Sequence, residues 1–250
     1  MILAVDTSIG TGVAVVAPDG EIRSEAVSEN ALGHAEVIGT LLERALADAG
    51  IRSDAVTHVA AGMGPGPFTG LRIGIAAARA FALGRGIPVF GVVSHDAVAH
   101  ELGVVFPAGG FAVATDARRK ENAISVYGGP SKGLPVRVAG PELRPRDADL
   151  SADPLLAALA GADVAAAASF AGADVAAPDP AGARDALARV GAVDPALGDR
   201  LVLATRIPIG VLGRVAAIRI ARGETPDVDE PLYLRSPDVK APAPRKKVGS

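Results

Sequence analysis

Three stretches of this 250-residue chain hold residue types at spacings that could do chemistry. The sharpest is GMGPGPFTGLRIG, Gly62 to Gly74, set where an apolar run ends and a helical period begins. Glycine permits positive φ and close backbone approach, proline fixes φ, and the N-terminus of the following helix offers unpaired N–H groups to an anion, so a phosphate could sit there. The Walker pattern fails, since no Gly-Lys-Ser/Thr follows and the nearby cation is Arg72. Local physics favours the plainer reading, a rigid strand-to-helix connector, in which a side chain at Gly66 is costly if that position needs positive φ. The second stretch is Asp6-Thr7-Ser8, between the first two strands. A carboxylate there can manage a metal-bound phosphate and hydroxyls can bond the phosphate itself, although Asp and Ser also simply cap turns. The third is Asp116-Ala117-Arg118-Arg119-Lys120-Glu121, whose cations could hold an anionic ligand or form a self-neutralising solvated turn, the latter being favoured.

The remaining inventory excludes more than it offers. His34, His58, His95 and His100 are the whole histidine supply, and a five-residue step turns about 140° on a helix, so His95 and His100 cannot share one metal from one regular face. His34, beside Gly33 at the start of a helical period, is expected at the surface or as a cap. With no Cys there are no thiolate ligands, disulfides or cysteine nucleophiles, and no GxSxG, HExxH or paired-carboxylate spacing occurs. No catalytic residue and no metal site is expected.

These stretches need elements to hold them. Ile2 to Asp6, Thr11 to Ala17 and Ile22 to Val27 are β-prone runs, with Asp19-Gly20 as a two-residue hairpin turn. From Leu32 to Ala49 the period becomes helical, with Ile38, Leu41, Leu42, Ala45 and Leu46 on one stripe and Gly50 placed to end it. A strand over His58 to Met63, a helix over 68–85 and a strand over Pro88 to Val93 follow, giving a mixed βββαβα order and then a further βα. The 68–85 helix carries only Arg72, Arg79 and Arg85 as charges, and Gly70, Gly74 and Ala78 form a small-residue ridge. A helix apolar around most of its circumference must be covered on more than one side, either by the 32–49 helix or by a partner's helix. Strands at Phe111 to Thr115 and Ala123 to Tyr127 open a second lobe beyond a boundary near residue 105. The segment 151–200 is Ala-rich and expected as short helical pieces, Ile209 to Arg222 as a final helix, and 240–250 as a disordered tail. The division is 1–105, 106–239 and the tail.

A chain 49% hydrophobic and 21% charged is globular rather than disordered. Its formal charge of −3 gives no global attraction for nucleic acid. The N-terminus lacks a basic n-region, and no unbroken apolar stretch approaches the ~20 residues a membrane helix needs, so a cytoplasmic protein is expected.

Taken together, ILAVDTS, GMGPGPFTGLRIG, PVFGVVS, ATDARRKE and PLYLRSP, in that order over about 235 residues, resemble the TsaB (formerly YeaZ) family. The resemblance implies an α/β, two-lobed actin-like ATPase (ASKHA) fold of ribonuclease H-like topology, shared with Hsp70, sugar kinases and the paralogue TsaD. It further implies a non-catalytic subunit that binds and activates TsaD, which transfers threonylcarbamoyl to N6 of the adenosine next to the tRNA anticodon, with the ATPase TsaE as a further partner. On this footing the chain pairs with TsaD, forms a homodimer when alone, meets tRNA only through the complex and has no membrane partner. It binds no cofactor by itself, and ATP is a candidate ligand of the complex. Asp6, Thr7 and Ser8 become a vestigial nucleotide loop, and Ile38, Leu41, Leu42, Gly70, Gly74 and Ala78 the interface. TsaD carries a His-x-x-x-His metal pair where this chain has SHDAVAHEL, with His95 and His100 at the wrong spacing. Pro67 departs from the family's Ser in GPGSFTG, and Asn122 to Ser125 from its aromatic-containing segment. The alternatives are an independent ATP-dependent kinase or ATPase of the same superfamily and a metalloprotease.

Overall fold

The computed structural model describes residues 1–28, 33–103, 110–131, 133–148, 153–156, 191–193 and 200–235. The β-prone runs at the N-terminus become an antiparallel meander of β1 (Ile2–Asp6), β2 (Thr11–Val16) and β3 (Ile22–Ser28). The β2–β3 connection is a three-residue loop, Pro18 to Gly20, instead of the expected two-residue Asp19-Gly20 turn: Gly20 N donates to Ala17 O at 2.9 Å and Ala17 N to Glu21 O at 2.8 Å, with Gly20 alone at positive φ (90) and the Asp19 carboxylate accepting from Glu21 N. The chain then rises through α1 (His34–Asp48), β4 (His58–Gly62), α2 (Phe68–Arg85) and β5 (Val89–Val92), with β4 parallel to β1 and β5 parallel to β4. The sheet order is β3-β2-β1-β4-β5.

A second five-stranded sheet repeats the plan. β6 (Phe111–Asp116), β7 (Glu121–Ser131) and β8 (Leu134–Pro145) form a meander, and β10 (Leu201–Ala204) lies parallel to β6, with β9 (Gly191–Val193) outside it. α3 (Ser94–Leu102) links the sheets, and α4 (Ile209–Ala221) follows β10. Although the sequence division counts it with the second lobe, α4 returns to pack on the first sheet.

Both faces of the first sheet are therefore covered, which is why β1 and β2 are buried throughout. The two-residue period sorts β1 between them: Leu3 and Val5 join Ile38, Leu41, Leu71 and Ile75 of α1 and α2, whereas Ile2 and Ala4 join Val98 of α3 and Leu212 and Ala216 of α4. The second cluster continues into the other sheet through Phe111, Val113 and Tyr127, so one apolar core spans both lobes. Phe111 and Tyr127 are cross-strand partners with stacked rings, centroids 5.6 Å apart.

Several local expectations change. Positive φ falls at Gly64 (φ 97), not at Gly66. His34 is buried against Thr11 instead of exposed. β8, β9 and β10 had no counterpart in the periodicity, and β9 is a strand within the segment expected as short helical pieces. The boundary near 105, most of the Ala-rich 151–200 segment and the 240–250 tail lie outside the described residues. Among the described residues no helix is long and apolar enough to cross a membrane.

Candidate functional site

The strand period that turns Ile2 and Ala4 toward α3 sends Asp6 the same way. Asp6 is 3% exposed, and both carboxylate oxygens are taken by the chain itself. Oδ1 accepts Ser8 N at 2.7 Å, while Oδ2 accepts the Ser94 hydroxyl at 2.5 Å and the Ser8 hydroxyl at 3.1 Å. Burial pushes the Asp6 carboxyl above its ordinary range, and the hydrogen bonds from Ser94 and Ser8 pull the other way. Ser94 Oγ also accepts from Gly64 N at 3.2 Å, tying the start of α3 to the glycine loop.

The glycine loop is shaped by this turn. At Gly62 a Cβ would run into Asp6 Oδ2; at Gly66 it would lie 2.8 Å from Ser8 Cα. At Gly70 it would lie 2.8 Å from Thr7 O, and at Gly74 it would meet Thr7 Oγ1. That hydroxyl donates to the Gly70 carbonyl at 2.6 Å. Four glycines at four-residue spacing thus each make room for one part of Asp6-Thr7-Ser8. The three residues singled out as a nucleotide loop are brought together with the Gly62–Gly74 stretch, and their polar groups bond within the protein.

His95, fully buried on α3, is bonded through Nδ1 to Ser125 Oγ at 2.8 Å and through Nε2 to Thr115 Oγ1 at 2.9 Å. Burial, helped by the Arg137 charge, lowers its pKa to about 3, so the ring is neutral and pins α3 to β6 and β7. The next residue, Asp96, accepts Tyr127 Oη at 2.8 Å, Arg137 Nε at 3.1 Å and Arg219 Nη2 at 3.2 Å. Ser94, Thr115, Ser125, Asp96 and Tyr127 were not singled out in the sequence. The residues present do not fit a histidine metal pair, because both His95 ring nitrogens are already bonded to hydroxyls. Nor does Asp6 fit an open, metal-managing carboxylate.

Of the six residues named for an interface, Ile38, Leu41, Gly70, Gly74 and Ala78 are buried inside the chain and Leu42 is half-buried against the same core. Same-chain contacts cover the ridge on α2, with Thr7 against its glycines. The opposite faces of α1 and α2 are open at Gly39, Thr40, Ala76, Ala80 and Leu83, the last 85% exposed.

The third stretch forms the β6–β7 turn. Arg118, Arg119 and Lys120 all take left-handed backbone, φ 64, 53 and 60. Asp116 Oδ1 holds the turn by accepting Arg118 N at 2.7 Å and Arg146 Nη2 at 2.6 Å, and Glu121 pairs with Arg235. The turn does not neutralise itself: its two acids are matched by arginines from outside it.

Two meander-and-crossover sheets joined through one core, with the β1–β2 turn set against a glycine loop, define a protein of the actin-like ATPase fold. Residues 22–130 match the model of the TsaD family, tRNA N6-adenosine threonylcarbamoyltransferase. An uncharacterized protein of Mycobacterium tuberculosis is 33% identical over 241 residues, 96% of this chain and 93% of that one. A solved structure from Pseudomonas aeruginosa, described as an uncharacterized protein with similarity to peptidase YEAZ, is 25% identical with TM-score 0.64, covering 94% of this chain and 99% of its own. YeaZ from Pseudomonas aeruginosa superposes with TM-score 0.62 at 22% identity over 93% of this chain and 99% of its own. The chain belongs to one family with that mycobacterial protein and has the fold of the YeaZ (TsaB) structures.

Proposed function

We propose that this chain is a non-catalytic partner subunit that binds and activates TsaD for N6-threonylcarbamoylation of the adenosine next to the tRNA anticodon. The observation that carries the reading is the internal use of the site: Asp6, Thr7 and Ser8 bond to Ser94, Gly70 and each other, and His95 bonds Ser125 and Thr115. Groups that would have to face a nucleotide phosphate or a metal instead hold the fold together. The family match over residues 22–130 supports the connection with tRNA modification. TsaE and tRNA join through the complex, which works in the cytoplasm.

The partner surface is formed by α1 and α2, and the side available to it is the outer one around Gly39, Ala76, Ala80 and Leu83. Small residues there allow helices to approach closely, and Leu83 supplies apolar area. The same side forms the homodimer when TsaD is absent. Titration of the full chain with purified TsaD tests this: a saturable complex is expected, and no association at micromolar concentrations would contradict it.

A further inference from the structure

Asp96 joins the two lobes through a single buried carboxylate. It sits on α3, the helix that follows β5 of the first sheet. Its Oδ1 accepts from Tyr127 of β7 and Arg137 of β8, both in the second sheet, and its Oδ2 from Arg219 of α4, which packs on the first. Asp227, just past α4, extends the cluster, with Arg219 Nη1 at 3.0 Å and Arg137 Nη2 at 4.0 Å from its Oδ2. Turning the second sheet against the first would pull Tyr127 and Arg137 off a carboxylate that water does not reach. Breaking a buried charge cluster in this way is costly, so the joint resists rotation.

From Asp227 the chain crosses the first lobe and ends its run on the second. The Val228 carbonyl lies against Gly91 of β5, where a Cβ would run into it. Arg79 Nη2 of α2 donates to Asp229 O at 2.5 Å, and Leu232 N donates to Met63 O at 2.8 Å. Arg72 Nε donates to Tyr233 Oη at 3.2 Å, and the Tyr233 ring packs on Phe68 with centroids 4.7 Å apart. Arg235 then reaches the β6–β7 turn, pairing with Glu121 and donating from Nη2 to Arg118 O at 3.2 Å. Three consecutive non-glycine residues of that turn are at positive φ, a strain that persists only where surrounding bonds over-determine it. Arg235 supplies one of those bonds, and Arg146 N, donating to Lys120 O at 2.7 Å, another.

We propose that residues 228–235 form a strap which, with the Asp96 joint, holds the two lobes at one separation, where hinged two-lobed proteins open and close theirs. The two ties act at different places. The joint is on the helix that links the sheets, and the strap reaches its end where the glycine loop meets the β6–β7 turn. With both in place a rotation that spares one breaks the other; with either removed the lobes can turn about the one that is left. A partner that binds across both lobes then meets a surface already set, and a ligand in the cleft does not close it. The fixed separation follows from this chain's own bonds and does not rest on the TsaD reading.

Because the chain has no cysteine, introduced pairs carry spin labels at chosen positions alone. Glu43→Cys on α1, combined with Asp147→Cys or with Val138→Cys, spans the two lobes from exposed positions. Electron–electron double resonance on the labelled full chain, diluted with unlabelled chain to suppress distances between copies, reads the separation. One narrow distance is expected for each pair, unmoved by MgATP. Arg235→Glu sets two carboxylates together at the strap's end, and Asp96→Asn removes the charge at the joint. Each should widen at least one distribution to about twice its original width or add a second distance, as freed domain motion does. Arg85→Gln, whose guanidinium bonds Ser53 O and Asp54 O within the first lobe, should leave both pairs unchanged. Circular dichroism checks folding, and if Asp96→Asn unfolds, the more exposed Arg235→Glu decides. The proposal is overturned if the chain without these substitutions gives two distances or shifts with MgATP, if either folded variant keeps the narrow distributions, or if Arg85→Gln widens them as much.

Discussion

Thr7 and Gly74 are in mutual contact across the first sheet and α2: the Thr7 hydroxyl, bonded to the Gly70 carbonyl at 2.6 Å, occupies the space where any side chain at position 74 would begin. The glycine ridge is therefore a seat for the β1–β2 turn, and its conformation and that of Asp6-Thr7-Ser8 are coupled. Gly74→Ala should displace Thr7 and cost about 1–3 kcal/mol, as overpacking does in a dense core. Gly62→Ala, which drives a methyl into the Asp6 carboxylate, should cost at least as much. Gly66→Val should destabilise by about 1 kcal/mol or more through the Ser8 backbone, not through φ. Denaturant melts check all three; wild-type midpoints would show that the turn yields freely.

His95 gives the fold a pH dependence of definite sign. Its folded pKa is about 3 against 6.5 for an ordinary histidine, so below pH 6.5 the unfolded chain takes up a proton that the folded chain refuses. Stability should fall as pH drops from 6.5 toward 3, with a slope from this residue of up to about 1.4 kcal/mol per pH unit. Asp6 acts oppositely, since its raised pKa favours the folded state at low pH. The test is consequently a difference: His95→Gln, which keeps a donor and an acceptor for Ser125 and Thr115, should flatten the acid limb of the wild-type curve. Parallel curves for the two proteins would contradict the assignment.

Much of the fold was legible. The β1–β3 meander follows from short β-prone runs and the Pro, Asp and Gly between them, and α1 from its 3.6-residue stripe, because both signals are local. The site was legible only in its parts. Asp6-Thr7-Ser8 and the Gly62–Gly74 loop stand out separately, but Thr7 and Gly70 are 63 residues apart and nothing in either stretch announces that one is the mould of the other. His34 lies at a helix start beside a glycine, a position that reads as exposed until Thr11 on β2 supplies its partner at 2.7 Å. β8 is interrupted by Gly140-Pro141 and so loses the continuous pattern of a strand, and α4 belongs in sequence to one lobe while its apolar residues pack on the other.

The buried ridge also redirects the interface experiment. Gly74→Glu or Ala78→Glu would place a charge inside the core and is expected to unfold the chain before it reports on a partner. Ala80→Glu and Leu83→Glu, on the outer side of α2, should change stability by no more than about 0.5 kcal/mol. If that side meets TsaD, each should weaken the complex by about 2 kcal/mol, roughly thirtyfold. Circular dichroism and titration against TsaD read the two effects separately. Wild-type affinity in both variants would move the interface off this face.

The most direct measurement of the central claim is reconstituted threonylcarbamoylation of tRNA, with TsaD, TsaE and threonylcarbamoyl-adenylate, in the presence and absence of this chain. The account predicts no transfer and no ATP hydrolysis by this chain alone, little transfer by TsaD without it, and a large rise when the two are combined. Robust turnover by the repurified chain alone that disappears on Asp6→Ala, or full TsaD activity in its absence, would contradict a non-catalytic activating role.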